Sequence, residues 1–313
     1  MTRAYVFPGQ GAQTIGMGKA LAEAYPAAQA VFDEVDAALG ERLSALIWAG
    51  DIDTLTLTAN AQPALMACSL AAVRALDAEG IRVSDAAFVA GHSLGEYSAL
   101  AATGALSITD AACLLRLRGD AMQSAVPVGV GAMAAILGLD LAAVTAVASD
   151  AAQGQVCQAA NDNDPAQVVV SGHTEAVERA AALAKERGAK RALMLPVSAP
   201  FHCALMQPAA DAMAAALAAV TLNVPCVPVV ANVTAAPETD PARLRTLLVA
   251  QITGVVRWRE SVAAMAAQGV TEIWELGAGK ALTGMVRRID RSLATANIAT
   301  PADITAARAA AQE

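Results

Sequence analysis

Gly91-His92-Ser93-Leu94-Gly95 sets a serine between two glycines, after the apolar run Ala86–Ala90 and before Glu96–Ala102. The first run reads as a short buried strand and the second as the opening turns of a helix. A serine on so tight a strand-to-helix turn projects its hydroxyl away from the sheet, and the next backbone N–H points the same way. Glycines are required on either side because a Cβ there would collide with the turn. The layout is that of a nucleophile elbow. It predicts acyl transfer through a serine ester.

A serine hydroxyl is almost never ionised at neutral pH, so it needs a base. The chain has only 3 histidines. His92 adjoins Ser93, where neighbouring side chains diverge, and is expected to brace the elbow. His173, in Ser171-Gly172-His173-Thr174-Glu175, lies where a strand hands over to a helix, and a capping or packing role is expected. His202, in Ser198-Ala199-Pro200-Phe201-His202-Cys203, is left as the base. Cys203 cannot pair with its own neighbour and is expected to be a packed thiol. An α/β-hydrolase triad would place an acid between serine and histidine. Asp162 and Asp164 fall in that interval, but inside what reads as a hairpin turn, where Asn and Asp are favoured anyway. The expectation is a Ser93–His202 dyad whose imidazole is oriented by a neutral acceptor such as a main-chain carbonyl.

The Leu94 N–H follows from the elbow as one oxyanion donor. Gln10, flanked by Gly9 and Gly11 after the strand Tyr5-Val6-Phe7, is expected to supply the second. A phosphate-binding loop fails on spacing, because Thr14 and Met17 stand where a glycine and a lysine would be needed. Arg116 and Arg118 lie in the helix after the elbow helix. Two residues apart, they face about 200° apart, so at most one points at Ser93. A guanidinium there would suit a substrate carboxylate, whose two oxygens match its planar fork. Position alone does not choose between them.

The elements that must position these residues are those of a large α/β chain. Of 313 residues, 56% are hydrophobic, 16% charged and 3% aromatic, enough for a sizeable core built from Ala, Val, Leu and Met. A net charge of −8 and the absence of long Lys/Arg runs argue against nucleic-acid binding. Mean hydropathy is +0.46, yet the uncharged stretches Ala121–Leu139 and Ala212–Pro237 are broken by Pro, Gly and Asn and do not make a membrane span of about 20 residues. The start of the chain is strand-like and lacks a signal-peptide layout, so a soluble, cytoplasmic protein is expected. The 5 scattered cysteines have no C-x-x-C spacing, so neither structural zinc nor a disulfide framework is expected.

Helical periodicity runs through 19–25 and 27–39 with Pro26 between them, through 61–79 with Gly80 as C-cap, and through 109–124. Residues 127–196 follow their own order: strand 132–137, helix 141–152, strands 155–160 and 166–171, helix 174–187, strand 191–197. That is the ferredoxin-like pattern. The expected organisation is a small domain, 127–196, inserted into a larger one, 1–126 and 197–313. The alanine-rich tail 305–312 is expected to form a surface helix.

Taken in order, Phe7-Pro8-Gly9-Gln10-Gly11-Ala12-Gln13, Gln62-Pro63-Ala64, Gly91–Glu96, Arg118-Gly119, Phe201-His202 and Gly277-Ala278-Gly279-Lys280 resemble the malonyl-CoA:acyl carrier protein transacylases of fatty acid synthesis. The likeness extends from about residue 4 to about residue 290. It implies an α/β-hydrolase-like domain with a parallel sheet and a ferredoxin-like insert, Ser93 acylated, His202 its base, and Gln10 and Leu94 as oxyanion donors. It also implies Arg118 as the arginine holding the malonyl carboxylate and Gln251 as the residue whose carbonyl orients the histidine. Phe201 is of the kind seen in malonyl-selective members, and Asn161 is implied among the substrate-binding residues. Malonyl-CoA and an acyl carrier protein would be the partners of an expected monomer, with no metal or bound cofactor; Lys190 and Arg191 are candidates for carrier docking. Gly254-Val255 departs from the Ser-Pro or Asn-Pro common in the family, which would loosen the loop at Gln251. Asp162 replaces an aromatic or apolar residue. A serine hydrolase or thioesterase, a polyketide acyltransferase and a non-catalytic binding module are the rival readings.

Overall fold

The computed structural model describes residues 2–197 and 199–311. A six-stranded sheet forms the centre, in the order β10 (Ala294–Ile298), β9 (Glu272–Leu276), β1 (Arg3–Phe7), β2 (Phe88–Gly91), β7 (Val229–Ala231), β8 (Ala236–Glu238). All neighbours are parallel except β7 and β8. Along β1, Tyr5 and Phe7 enter one apolar cluster while Ala4 and Val6 enter another. A parallel strand covered on both faces has no polar side to show, which is why Ala4–Phe7 reads as an unbroken apolar run. The helix Thr58–Ala78 and the elbow helix Gly95–Ala102 cover the first face, and Trp258–Ala267 and Ala281–Ile289 the second.

A second sheet is wholly antiparallel, in the order β4 (Cys157–Asp164), β5 (Gln167–His173), β3 (Gly131–Leu137), β6 (Arg191–Met194). With the helices Leu141–Ala152 and Thr174–Glu186 packed on one face, it makes the small subdomain that the strand-helix-strand-strand-helix-strand order implies. Its other face presents Met133, Ala135, Ala160 and Val169, on which Phe201 rests.

Several elements differ from expectation. The Asn-Asp-Asn-Asp run is strand, not turn: β4 continues to Asp164, leaving only Pro165 and Ala166 to reverse the chain. Asp162 and Asp164 are buried because each carboxylate meets a guanidinium of the large domain, Arg259 at 2.9 Å and Arg288 at 2.7 Å. Paired charges are tolerated where lone ones are not. The strand β6 stops at Met194, since Pro196 has no N–H with which to extend the ladder. Gly80, with φ +83°, lies one residue beyond the C-cap, which is Glu79. His173 holds the N-cap position of Thr174–Glu186, as expected, but its side chain makes no capping bond; its Nδ1 accepts the Val156 N–H at 2.9 Å and ties the β4–β5 hairpin. The tail helix Pro301–Ala311 buries Ile304 and Ala307, so it is a packed element with one exposed face; residue 312 of the expected span lies outside the described residues, as does Ser198. Elsewhere Pro26 starts the helix Pro26–Leu39 at its first position, and Ser107 caps Ile108–Ser124 by accepting the Asp110 N–H at 2.9 Å. No helix among the described residues is long and apolar enough to cross a membrane.

Candidate active site

Ser93 follows β2 at the carboxyl end of the parallel sheet, where open α/β sheets bind ligands. Its φ of +53° lies in the left-handed region, a strained conformation for a non-glycine residue. A Cβ on Gly91 would come within 1.9 Å of the Gly95 carbonyl, and one on Gly95 within 2.2 Å of the Phe7 carbonyl oxygen. The elbow is therefore closed against the end of β1, which brings the loop carrying Gln10 beside it. Among the described residues, neither the Leu94 N–H nor the Gln10 N–H donates to a protein acceptor. Leu94 also opens the elbow helix, whose N-terminal dipole favours an anion.

His202 has φ +58°, so both residues of the expected dyad sit in the left-handed region. Its Nε2 lies 2.8 Å from Ser93 Oγ, and its Nδ1 lies 2.8 Å from the Gln251 carbonyl oxygen. A carbonyl only accepts, so Nδ1 carries the proton and Nε2 is free to take the serine's. Gln251 belongs to the helix Pro241–Thr253, two residues from its end. The last carbonyls of a helix have no partner within it and carry its negative dipole. One such carbonyl holds the imidazole here, in the place a triad gives to an acid. The Gly254-Val255 departure does not free it, because Gln251 is fully buried inside the helix. Burial, with the Arg118 charge nearby, pushes the His202 imidazole down to about 3.

Arg118 is the arginine that faces the serine. Its Nη2 donates to Ser93 Oγ at 3.1 Å and to Gln251 Oε1 at 2.9 Å, and its Nη1 to Gln62 Oε1 at 2.6 Å. The side chain is 1% exposed, and its Nε meets no acceptor among the described residues. Arg116 points the other way and pairs with Asn60 and Glu41. Gln62 Nε2 donates to Thr58 Oγ1 at 2.8 Å, and Thr58 Oγ1 donates to Gln10 Oε1 at 3.1 Å, so a polar chain links the Gln10 loop to Arg118.

His92 braces the elbow from the far side, its Nε2 2.9 Å from Asn163 Oδ1 on β4. Cys203 is a buried thiol bonded to the Pro200 carbonyl. Phe201 packs between the core of the large domain and the free face of the small sheet. Asn161 is buried on β4, which bridges to Val256, and makes no hydrogen bond to Ser93, His202 or Arg118. Nothing local in the sequence marks Asn232, yet its Oδ1 accepts the Ser93 N–H at 2.8 Å and its Nδ2 donates to the Gly91 carbonyl at 2.6 Å. Glu96 is equally unmarked, save that it follows the second glycine; it is fully buried and accepts from Gln251 Nε2 and the Asn232 N–H.

The geometry about Ser93 is what acyl transfer through a serine ester would require. The chain belongs to the acyl transferase domain family, whose pattern matches residues 4–300. An acyl-carrier-protein S-malonyltransferase from Bartonella henselae superposes with a TM-score of 0.98 at 53% identity, covering 100% of both chains. The malonyl CoA-acyl carrier protein transacylase of Escherichia coli strain K12 is 49% identical over 97% of this chain and 98% of its own. A malonyl-transacylase solved in complex with a type II PKS acyl-carrier protein is 43% identical, with a TM-score of 0.96 over 99% of this chain and 100% of its own.

Proposed function

We propose that the chain transfers malonyl from malonyl-CoA to the phosphopantetheine thiol of an acyl carrier protein, as a cytoplasmic monomer, with Ser93 the acylated nucleophile. The observation that carries the reading is the Arg118 guanidinium, buried and 3.1 Å from Ser93 Oγ. An acetyl group would leave that charge with only neutral amide and hydroxyl acceptors, whereas the free carboxylate of malonyl would meet it with two parallel hydrogen bonds. The names and near-complete coverage of the relatives support the same substrate.

His202 Nε2 takes the Ser93 proton as Oγ attacks the thioester carbon. The oxyanion sits on the Leu94 and Gln10 N–H groups. The carbon–sulfur bond breaks, and His202 returns the proton to the CoA thiolate. The carrier thiol then gives its proton to His202 as its sulfur attacks the malonyl-serine ester; the ester carbon–oxygen bond breaks, and His202 returns the proton to Ser93 Oγ. Phe201 and Asn161 are proposed to bound the acyl pocket from the side of the small domain, drawn as 127–196 within 1–126 and 197–313. Lys190 and Arg191, exposed at the start of β6, are proposed to meet an acidic carrier. The complex with a polyketide carrier favours a second reading, in which the carrier belongs to polyketide synthesis.

Intact-mass measurement tests this directly. Malonyl-CoA alone is expected to add one malonyl mass, on Ser93, and a holo carrier protein to remove it. A label on Cys203, or one that water rather than the carrier removes, would overturn the reading in favour of another nucleophile or a hydrolase.

The depressed His202 value sets the pH profile. The imidazole is lowered, so it stays neutral and competent as a base to lower pH than free histidine, whose value is about 6.5. The kcat/KM for acetyl-CoA, which needs no carboxylate clamp, is expected to stay flat from about pH 7.5 to about pH 5. An acid limb centred at about 6.5 would show that His202 is solvated as in a free peptide.

A further inference from the structure

Glu96 takes no part in the steps above, yet it is a carboxyl group with 0% exposure, one turn from the nucleophile. Its Oε2 accepts from Gln251 Nε2 at 2.8 Å and from the Asn232 N–H at 3.1 Å; its Oε1 meets no donor among the described residues. An ionised carboxylate can only accept. Together with the Ser93 carbonyl, 3.0 Å from Gln251 Nε2, it keeps the amide NH2 turned inward and leaves the amide oxygen facing Arg118 Nη2 at 2.9 Å. Turned the other way, that NH2 would oppose the guanidinium donor to donor.

We propose that Glu96 is a positioning residue for acyl selectivity: acting through the Gln251 amide, it holds the Arg118 fork in the orientation that receives the substrate carboxylate. The inference rests on the clamp reading of Arg118. A glutamine at position 96 weakens the lock in either placement. With its NH2 toward Gln251 it opposes a donor; with its oxygen there, the NH2 is buried where Oε1 had no partner. Misdirecting one hydrogen bond to a charged group is expected to lower malonyl transfer by ~10-fold. Burial raises the Glu96 carboxyl to about 7, against the pull of Asn232, Gln251 and Arg118, so protonation of the native residue mimics the substitution. The other titratable groups about it are Arg118, on the helix after the elbow helix, and Tyr97 beside it, whose hydroxyl is pushed up by burial. Both keep their charge state from about pH 6 to 9, and His202 serves both acyl groups and cancels in their ratio.

The test is kcat and KM for malonyl-CoA and acetyl-CoA at about pH 8, above the Glu96 titration, in wild type, Glu96→Gln, Arg118→Ala and the double variant. Glu96→Gln is expected to lower the malonyl/acetyl ratio of kcat/KM by ~10-fold, chiefly through the KM for malonyl-CoA. The double variant should show no lower ratio than Arg118→Ala alone. An unchanged ratio in Glu96→Gln beside a collapsed one in Arg118→Ala would overturn this inference and spare the clamp, as would a loss that adds in full to that of Arg118→Ala. An unchanged ratio in Arg118→Ala would overturn both. Should Glu96→Gln not fold, the wild-type ratio decides: it is expected to fall as pH is lowered through about 7, and a flat ratio would overturn the proposal.

Discussion

Ser93→Ala is expected to abolish malonyl labelling, and His202→Ala to slow acylation by ~10⁴-fold or more, with both proteins still folded. The serine substitution removes a single hydroxyl, and its backbone strain at φ +53° is no harder for Ala to bear. Removing His202 deletes the only group among the described residues within hydrogen-bond reach of Ser93 Oγ that can take its proton, since Arg118, its other partner there, only donates. The residual rate would come from the oxyanion donors and from substrate binding. His92→Ala is the control. It loses the bond to Asn163 on β4 and should act through the set of the elbow and the unfolding midpoint, not through the base. Stopped-flow acylation beside urea unfolding separates the two. Equal kinetic losses at His92 and His202 without a stability change at His92 would mean that the wrong histidine is taken as the base.

Arg118→Ala is expected to cost malonyl transfer far more than acetyl transfer, so that the preference for malonyl collapses by ~30-fold or more. Removing one partner of a buried, hydrogen-bonded charge pair costs ~2–5 kcal/mol, because the other charge is left unpaired. That pair is formed only when a carboxylate substrate is present, so its loss falls on malonyl, while the bonds to Ser93, Gln62 and Gln251 are lost for both substrates. Arg118→Lys should restore part of the preference, since an ammonium cannot make two parallel bonds. Arg116→Ala, which breaks a half-exposed pair with Glu41, should change neither substrate by more than about 3-fold. Steady-state kcat/KM for both acyl-CoAs in the three variants checks this. A preserved malonyl/acetyl ratio in Arg118→Ala would remove the clamp and advance the hydrolase reading.

What the sequence by itself determined is local. Gly91 and Gly95 flank Ser93 because the backbone comes too close there for any Cβ, and that requirement shows as a pattern of five residues. Pro26 and Ser107 mark helix starts for reasons contained in one turn of chain. The strand-helix order of 131–194 carries the antiparallel subdomain in the same way. Elimination among three histidines reached His202 only because histidine is so rare in this chain.

The tertiary structure decided what lies between distant segments. Arg116 and Arg118 are equivalent by position, and only the packing of their helix turned Arg118 toward Ser93. Asp162 and Asp164 read as turn residues until Arg259 and Arg288, from helices more than 90 residues further on, neutralised them within a strand. Asn232 and Glu96, which hold the elbow and the Gln251 amide, follow no spacing rule; Gln251 reaches the Ser93 carbonyl across 158 residues. Turns and caps are set by the steric and hydrogen-bonding limits of adjacent residues, which sequence records directly. The partner of a buried charge or amide is set by which helix ends and strand edges two packed sheets bring together, and that is a property of the whole fold.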